Sequence, residues 1–135
     1  MVAGDVQPGH MGVRVRDVVD ALNELRAHFD GRKTELLVGL FLDSNFETCG
    51  TFAIDGSRSK VSAPITGLIA SAAVSGATYL VLAHNHPSGD PTPSRADKEA
   101  TFAIARACDH IGVRVLDHLI IASGGVSSMR TLGII

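Results

Sequence analysis

Two histidines, a serine and an aspartate are spaced in a way that could support metal chemistry. His84 and His86 stand two residues apart, Ser94 follows after seven intervening residues, and Asp97 lies three residues beyond it. In an extended backbone, residues two apart point to the same side, so both imidazoles could reach one metal ion. Two imidazoles and a carboxylate leave a fourth position open for water, which is the ligand arrangement of a catalytic zinc site.

The same residues also have a purely structural interpretation. Ser94 followed by Asp97 is close to the capping box of a helix N-terminus, which would benefit a helix without any metal. Histidines in a loop can likewise be ordinary surface residues. Their joint position directly after an apolar strand, where α/β folds place their sites, favours the functional interpretation.

The elements around this stretch predict a layered α/β domain with a mixed sheet. Apolar residues at steps of three and four predict a helix over 13–29. Dense apolar runs at 35–43 and 48–55 predict an antiparallel hairpin. The remaining predicted elements are a helix over 64–76, a strand over 78–83, a helix over 93–112 capped by Ser94, and a strand over 113–122. The last residues, from Gly124 onward, are too mixed to assign.

The composition predicts one domain. A chain of 135 residues that is 45% hydrophobic can bury a single sizeable core, which we place at residues 13–135. The glycine-rich residues 1–12 lack periodicity and are predicted to be a mobile leader, and residues 54–63 a mobile connection. The formal charge of −2, with scattered basic residues, does not predict a nucleic-acid surface.

Cellular location and cysteine chemistry follow from what the sequence lacks. No stretch approaches the ~20 apolar residues of a membrane span, and the N-terminus does not resemble a signal peptide. Cys49 and Cys108 have no CxxC spacing, so they are predicted to be buried apolar residues rather than metal ligands. These features predict a cytoplasmic protein.

The motif as a whole resembles a known family. The pattern His-x-His, seven residues, Ser, two residues, Asp is similar to the metal-binding signature of the JAMM (Mov34/MPN/JAB) metallo-isopeptidases, and His84, His86, Ser94 and Asp97 match it at every step. The fuller string "AHNHPSGDPTPS", with "DHLII" at 117–121, resembles the RadC branch of that family. The resemblance covers about residues 13–128.

The resemblance implies a fold and an activity. It implies a three-layer fold, a mixed sheet flanked by helices, related to the cytidine deaminases. It implies a zinc-dependent metallopeptidase or isopeptidase in which His84, His86 and Asp97 hold Zn²⁺ with a water as fourth ligand, while Ser94 stabilises the oxyanion. It also implies an association with DNA repair or mobile elements. The helix-hairpin-helix segment of other members is not expected here.

The resemblance further implies a glutamate that acts as general base, on a strand before the first long crossover helix. Counting from the neighbouring turns places it at or next to Thr51, which cannot accept a proton at neutral pH. Glu47 shares its parity but lies roughly 13 Å away along the strand, and Asp55 is equally distant on the other side. A second hypothesis is therefore a catalytically degenerate module that binds a metal or a partner.

Three further polar residues are assigned supporting roles. Asp117 and His118 alternate faces of the last apolar strand, so only one of them can point to the site. We expect Asp117 either to support a ligand histidine or to form a satisfied buried pair. Asn85 is expected to serve the turn. The sequence predicts neither the substrate nor the oligomeric state.

Overall fold

The computed structural model describes residues 6–7, 11–55 and 62–135, and the side chains of residues 11–55 and 65–135. Its strands are β1 (Val6–Gln7), β2 (Leu36–Leu42), β3 (Thr48–Asp55), β4 (Tyr79–Asn85), β5 (Arg114–Ala122) and β6 (Gly125–Ser128). Its helices are α1 (Val18–Leu25), continued by a 3₁₀ turn over Arg26–Phe29, α2 (Ser62–Ser75) and α3 (Arg95–Asp109).

The described strands form one mixed six-stranded sheet in the order β1-β3-β2-β4-β5-β6. β4 and β5 are parallel and are joined by α3, whereas the other described neighbours are antiparallel. A parallel pair needs a crossover of a dozen or more residues, which α3 and its loops supply. The predicted three-layer α/β architecture is confirmed.

The two faces of the sheet carry separate apolar cores because side chains alternate along each strand. On the α1 face, strand residues such as Leu40 and Val81 pack with Leu22 and Leu25 of α1. The α2/α3 face is built in the same way. Its core includes Phe41, Phe52, Leu80, Leu82, Leu68 of α2 and Ile104 of α3. Each fully buried side chain of this kind contributes about 1.5–3 kcal/mol relative to an exposed one.

The first helix begins later than its apolar periodicity predicts. Asp17 is extended and its side chain accepts a hydrogen bond from the Asp20 amide, which caps α1. The residues before Asp17 run alongside the β2–β3 turn, where the Val15 amide donates to the Phe46 carbonyl at 2.8 Å. Val15 is buried, so it extends the apolar pattern although it is not helical.

The later elements follow the prediction, but some of them run beyond their predicted ends. α2 and α3 lie within or near their predicted ranges and are followed by Gly76 and Gly112 with φ of +71° and +73°. β4 continues beyond the predicted end through His84 and Asn85. The unassigned C-terminal stretch forms β6, which pairs with β5.

Parts of the predicted mobile segments lie outside the described residues. Of the leader, Val6–Gln7 pair with β3, and residues 1–5 and 8–10 are not described. Residues 56–61 of the predicted connection are likewise outside the described part. Among the described helices, none combines the length and apolar character needed to cross a membrane.

Candidate metal centre

β4 carries the two histidines to the end of the sheet. His84 pairs in register with Leu37 of β2 and Ile120 of β5, and it is 6% exposed. Because His84 shares the parity of Leu80 and Leu82, its ring lies on the α2/α3 face. His86 follows two residues later on the same side.

A stiff loop returns the chain from β4 to α3. Gly89 has φ +92°, which glycine adopts readily, and an added Cβ there would lie 2.8 Å from the Ser123 hydroxyl. The Gly89 carbonyl accepts a hydrogen bond from the Gly124 amide at 2.9 Å, so the loop is anchored to the β5–β6 turn. This anchoring holds the start of α3 beside the histidines.

A capping box orients Asp97. The Ser94 hydroxyl oxygen accepts from the Asp97 amide at 3.0 Å, and Asp97 Oδ2 accepts from the Ser94 amide at 2.8 Å. The carboxylate is thereby turned back over the helix N-terminus towards the imidazoles. The structural and functional interpretations of these two residues therefore hold together, because the cap is what aims the carboxylate.

The three side chains converge on a common point. His84 Nε2 lies 2.8 Å from His86 Nε2 and 3.2 Å from Asp97 Oδ1, and His86 Nε2 lies 3.0 Å from Asp97 Oδ2. Ligand atoms bound at 2.0–2.1 Å to one tetrahedral ion lie about 3.3 Å apart. The spacing of these side chains fits the ligand set of such an ion.

The hydrogen-bond partners of His86 limit where the protons of this cluster can lie. His86 Nδ1 lies 2.8 Å from the Asp90 carbonyl oxygen, which can only accept, so Nδ1 carries the proton. In the neutral ring, Nε2 then presents a lone pair to the cluster. The Asp97 carboxylate also only accepts, so the cluster is completed either by protons, for example one on His84 Nε2, or by a metal ion.

Asp97 is ionised. Burial alone would raise the pKa of its carboxyl, but the contact with the His84 ring and the hydrogen bond from the Ser94 amide hold that pKa well below its usual range. An ionised carboxylate is the form that binds a cation. The side chain is therefore ready to act as a ligand at neutral pH.

Glu35 is a site residue that the sequence analysis missed. It directly precedes β2, and its carboxylate and one ring nitrogen each of His84 and His86 all lie within 4.8 Å of one another. Leu37 stands opposite His84 in the sheet, so Glu35, two residues earlier, shares that face. A charged residue at the very start of an apolar strand was the available signal, but only the strand register brings it to the histidines.

Asn85 holds the segment that carries Glu35. Its side-chain oxygen accepts from the Leu36 amide at 2.7 Å, and its side-chain amide donates to the Thr34 carbonyl at 3.0 Å. The two bonds fix the backbone on both sides of Glu35. The prediction that Asn85 serves its own turn is therefore wrong, since this buried side chain reaches across to β2.

Thr51 does not face the candidate centre. It pairs with Leu40, whose side chain packs in the core of the α1 face, so Thr51 lies on the side of the sheet away from the histidines. Asp55 shares that parity. Glu47 is beside the β2–β3 turn and lies 3.8 Å from the Arg14 guanidinium. Thr51, at or next to which counting along the turns places the general base, therefore does not face the histidines.

Asp117 has the second of the two roles expected of it, a satisfied buried side chain, and His118 is the residue that lies on the face of the candidate centre. His118 lies on the α2/α3 face, where its Nε2 is 2.7 Å from His84 Nδ1 and its Nδ1 is 2.6 Å from the Thr101 hydroxyl. Burial, together with the nearby His84, lowers the pKa of His118 to about 3, so the ring is neutral. Asp117 lies on the other face, bonded to Ser128.

Comparison with known families identifies the family of this chain. The sequence model of the RadC-like JAB domain matches residues 15–134. The chain belongs to the RadC-like JAB domain family. The match covers most of the chain and includes every residue of the candidate centre.

The relatives of this RadC-like JAB domain are longer proteins. It is 35% identical over 113 residues to a UPF0758 protein of Carboxydothermus hydrogenoformans, covering 82% of this chain and 50% of the relative. It is 32% identical over 128 residues to a UPF0758 protein of Aquifex aeolicus, covering 94% and 55%. The chain therefore spans about half the length of these curated relatives.

Proposed function

We propose that this RadC-like JAB domain is a metal-dependent hydrolase of peptide or isopeptide bonds, with Zn²⁺ held by His84, His86 and Asp97. The observation that carries the proposal is the convergence of two imidazole nitrogens and the Asp97 carboxylate, whose facing atoms lie 2.8–3.2 Å apart. Nitrogen and carboxylate ligands of this kind suit zinc. When bound, Zn²⁺ would polarise an amide carbonyl and make water a better nucleophile near neutral pH.

Glu35 is proposed as the general base. Its carboxylate belongs to the same cluster as the histidine nitrogens, within 4.8 Å, and its side chain is exposed to the solvent from which water enters. A base must come within about 3 Å of the proton that it removes, directly or through one water. Asp97 lies closer to both imidazoles and is held by the cap, which favours Asp97 as ligand and Glu35 as base.

Ser94 is proposed to donate a hydrogen bond to the substrate. Its oxygen accepts from the Asp97 amide, so its own hydroxyl proton can be directed outward. The residue caps α3, whose N-terminus favours negative charge. A carbonyl oxygen that becomes negative during amide hydrolysis would be stabilised there.

The competing hypotheses have less support. The degenerate-module hypothesis rested on Thr51, whereas Glu35 supplies a carboxylate on the correct face. A link to DNA repair rests on family resemblance, and the formal charge of −2 does not strengthen it. A cytoplasmic location is also part of the proposal, supported by the two free thiols, Cys49 and Cys108.

Metal content tests the first part of the proposal. Protein produced without a histidine tag should contain about one zinc ion per chain by elemental analysis. His84→Ala should lose the zinc, whereas the matched control His110→Ala, at the exposed end of α3, should retain it. Native protein that takes up no metal after dialysis against zinc would contradict the proposal.

Hydrolysis tests the second part. Wild-type protein should cleave at least one substrate from a panel of fluorogenic peptides and isopeptide-linked protein pairs. A chelator should abolish the cleavage and added zinc should restore it. Zinc-loaded protein that cleaves none of the panel would instead support the binding-module alternative.

A further inference from the structure

We propose that Thr101 and His118 form a buried relay that fixes the tautomer of His84, so that its Nε2 lone pair points to the metal position. The relay deepens the proposed metal centre and rests on it. It makes His118 and Thr101 positioning residues, because neither contacts the position of the ion or substrate. No role was assigned to Thr101 from the sequence.

Four groups stand in line behind the cluster. Within α3, the Thr101 hydroxyl donates to the backbone carbonyl of Asp97 at 2.7 Å. The same hydroxyl oxygen lies 2.6 Å from His118 Nδ1, and His118 Nε2 lies 2.7 Å from His84 Nδ1. Thr101 is 0% and His118 2% exposed, so the line is closed to water that could replace one of its bonds.

The backbone carbonyl of Asp97, at one end of this line, sets the direction of donation in every hydrogen bond of the relay. A carbonyl oxygen only accepts, so the single proton of Thr101 points to Asp97, and the Thr101 oxygen must accept from His118. His118 is 2% exposed, which favours a ring with a single proton, and this bond places that proton on Nδ1. Its Nε2 therefore accepts from His84 Nδ1, which leaves Nε2 of a singly protonated His84 ring with a lone pair.

The reverse arrangement is disfavoured at both ends. If Thr101 donated to His118, its oxygen and the Asp97 carbonyl oxygen would face each other at 2.7 Å with no proton between them. His118 would then donate to His84 Nδ1, and a proton would occupy His84 Nε2. That atom is the one that a metal ion needs unprotonated.

Helix α3 links the two halves of the site. Asp97 supplies a carboxylate to the cluster, and its backbone carbonyl starts the relay through Thr101, one helical turn later. The same turn of helix thus sets the position of one proposed ligand and the tautomer of another. Groups that orient a ligand histidine typically change metal affinity by about 10–100-fold when removed.

Nitrogen-15 NMR of the histidine rings in metal-free protein tests the relay directly. Long-range ¹H–¹⁵N spectra at mildly alkaline pH should show His118 protonated on Nδ1 and unprotonated on Nε2. In Thr101→Val, which removes the hydroxyl with little change of volume, the His118 proton should move to Nε2, whereas Thr101→Ser should keep the wild-type pattern. A wild-type His118 proton on Nε2 would overturn the relay whether or not the protein binds zinc.

Two His118 variants separate orientation from packing. Glutamine can place an oxygen where His118 Nε2 stands and still accept from His84, whereas asparagine reaches only towards Thr101. Both variants remove the ring. Measured with Co²⁺ or Zn²⁺, His118→Asn and Thr101→Val should bind about 10–100-fold more weakly than wild type, and His118→Gln within a few-fold of it.

The outcomes distinguish the relay from the proposed function. Wild-type protein that binds no metal but shows the expected His118 tautomer would end the hydrolase proposal and retain the relay. Equal metal affinity and unchanged Co²⁺ absorption in wild type, Thr101→Val and His118→Asn would overturn the relay and retain the metal centre.

Discussion

Two aspartates on opposite faces of the sheet have opposite hydrogen-bond balances. Asp117 Oδ1 accepts from the backbone amides of His118 and Arg130, at 2.7 and 3.1 Å, and its Oδ2 accepts from the Ser128 hydroxyl at 2.6 Å. Asp97 accepts from the Ser94 amide but also faces the Nε2 atoms of two histidine rings, either of which can itself be an acceptor. Asp117 is surrounded by donors, whereas Asp97 shares its surroundings with other potential acceptors.

The difference separates a carboxylate that is satisfied within the fold from one that we propose as a metal ligand. Donors alone satisfy Asp117, so it ties β5 to the C-terminal segment without a ligand. The potential acceptors that gather around Asp97 would be satisfied by a bound cation. Exposure does not make this distinction, because Asp117 is the more buried of the two residues.

Cavity size does not make the distinction either. A cavity of about 250 Å³ lies on the α1 face, next to Asp117 and away from the histidines. Its charged lining is already engaged: Arg16 pairs with Asp20 at 3.0 Å, and Arg130 donates to the Leu116 carbonyl. We therefore propose the metal site at the cluster of His84, His86 and Asp97 at the end of β4, and not at this cavity.

Removing the carboxylate of Glu35 should give the largest effect. Glu35→Gln should lower the rate of hydrolysis by about 10²–10⁴-fold, the usual effect of losing a general base, and retain bound zinc. Steady-state kinetics and elemental analysis measure both. Thr51→Val, on the opposite face, should hydrolyse at the wild-type rate. A large loss of rate in Thr51→Val would contradict the assignment of the base to the α2/α3 face.

Two serines, each bonded to one of the aspartates, should behave differently. Ser94→Ala should lower the rate by about 10²–10³-fold, as for the loss of an oxyanion donor, and destabilise the fold by about 1 kcal/mol through the lost cap. Ser128→Ala should cost about 1–2 kcal/mol of stability and leave the rate unchanged. Urea unfolding and kinetics on both variants test this pair. Equal hydrolysis rates in Ser94→Ala and Ser128→Ala would exclude Ser94 as an oxyanion donor.

Exchanging each carboxylate for an amide should impair zinc binding in one case and stability in the other. Asp97→Asn should weaken zinc binding by about 100-fold or more, beyond the effect expected of an orienting group. Asp117→Asn should leave the affinity unchanged and reduce the free energy of unfolding by about 1–3 kcal/mol, because an amide donor would then face another donor. Calorimetry for zinc and urea unfolding give the two values; zinc binding lost in Asp117→Asn would contradict the division of roles.

The pH dependence of stability should show the smallest effect for a single step of one pH unit. The pKa of His118 is about 3 in the folded protein and near 6.5 in the unfolded chain, so between these values only the unfolded chain binds the proton. The free energy of unfolding should therefore fall as pH drops below about 6.5, by up to about 1.4 kcal/mol per pH unit. Urea titrations of metal-free protein measure it, and His118→Gln should have a shallower slope.

Local signals were sufficient for three parts of the site. The spacing of His84 and His86 on an extended strand places both rings on one side, and the capping box needs only Ser94 and Asp97. The apolar run of β4 marks a central strand, and the glycines mark the ends of α2 and α3. Each of these features depends on residues within a few positions of one another.

The base and the relay depended on pairings that the sequence does not show. Counting along the turns placed the base at Thr51, and a displacement of one residue in a strand turns every side chain to the other face. The pairing of Leu37 with His84 instead brings Glu35 to the site. Side chains also alternate faces along β5, and this alternation puts His118, and not Asp117, beside His84.

The sequence by itself determined the layered α/β fold, the family and the local motif from His84 to Asp97, because periodicity, capping and spacing act within short segments. Only the tertiary structure decided which face each strand residue occupies, and so which residues from β2, α3 and β5 surround the motif. The physical reason is that strand register is set by pairing between segments far apart in the chain. Glu35 and His118 enter the site through those pairings, and Thr101 enters it through the packing of α3 against β5.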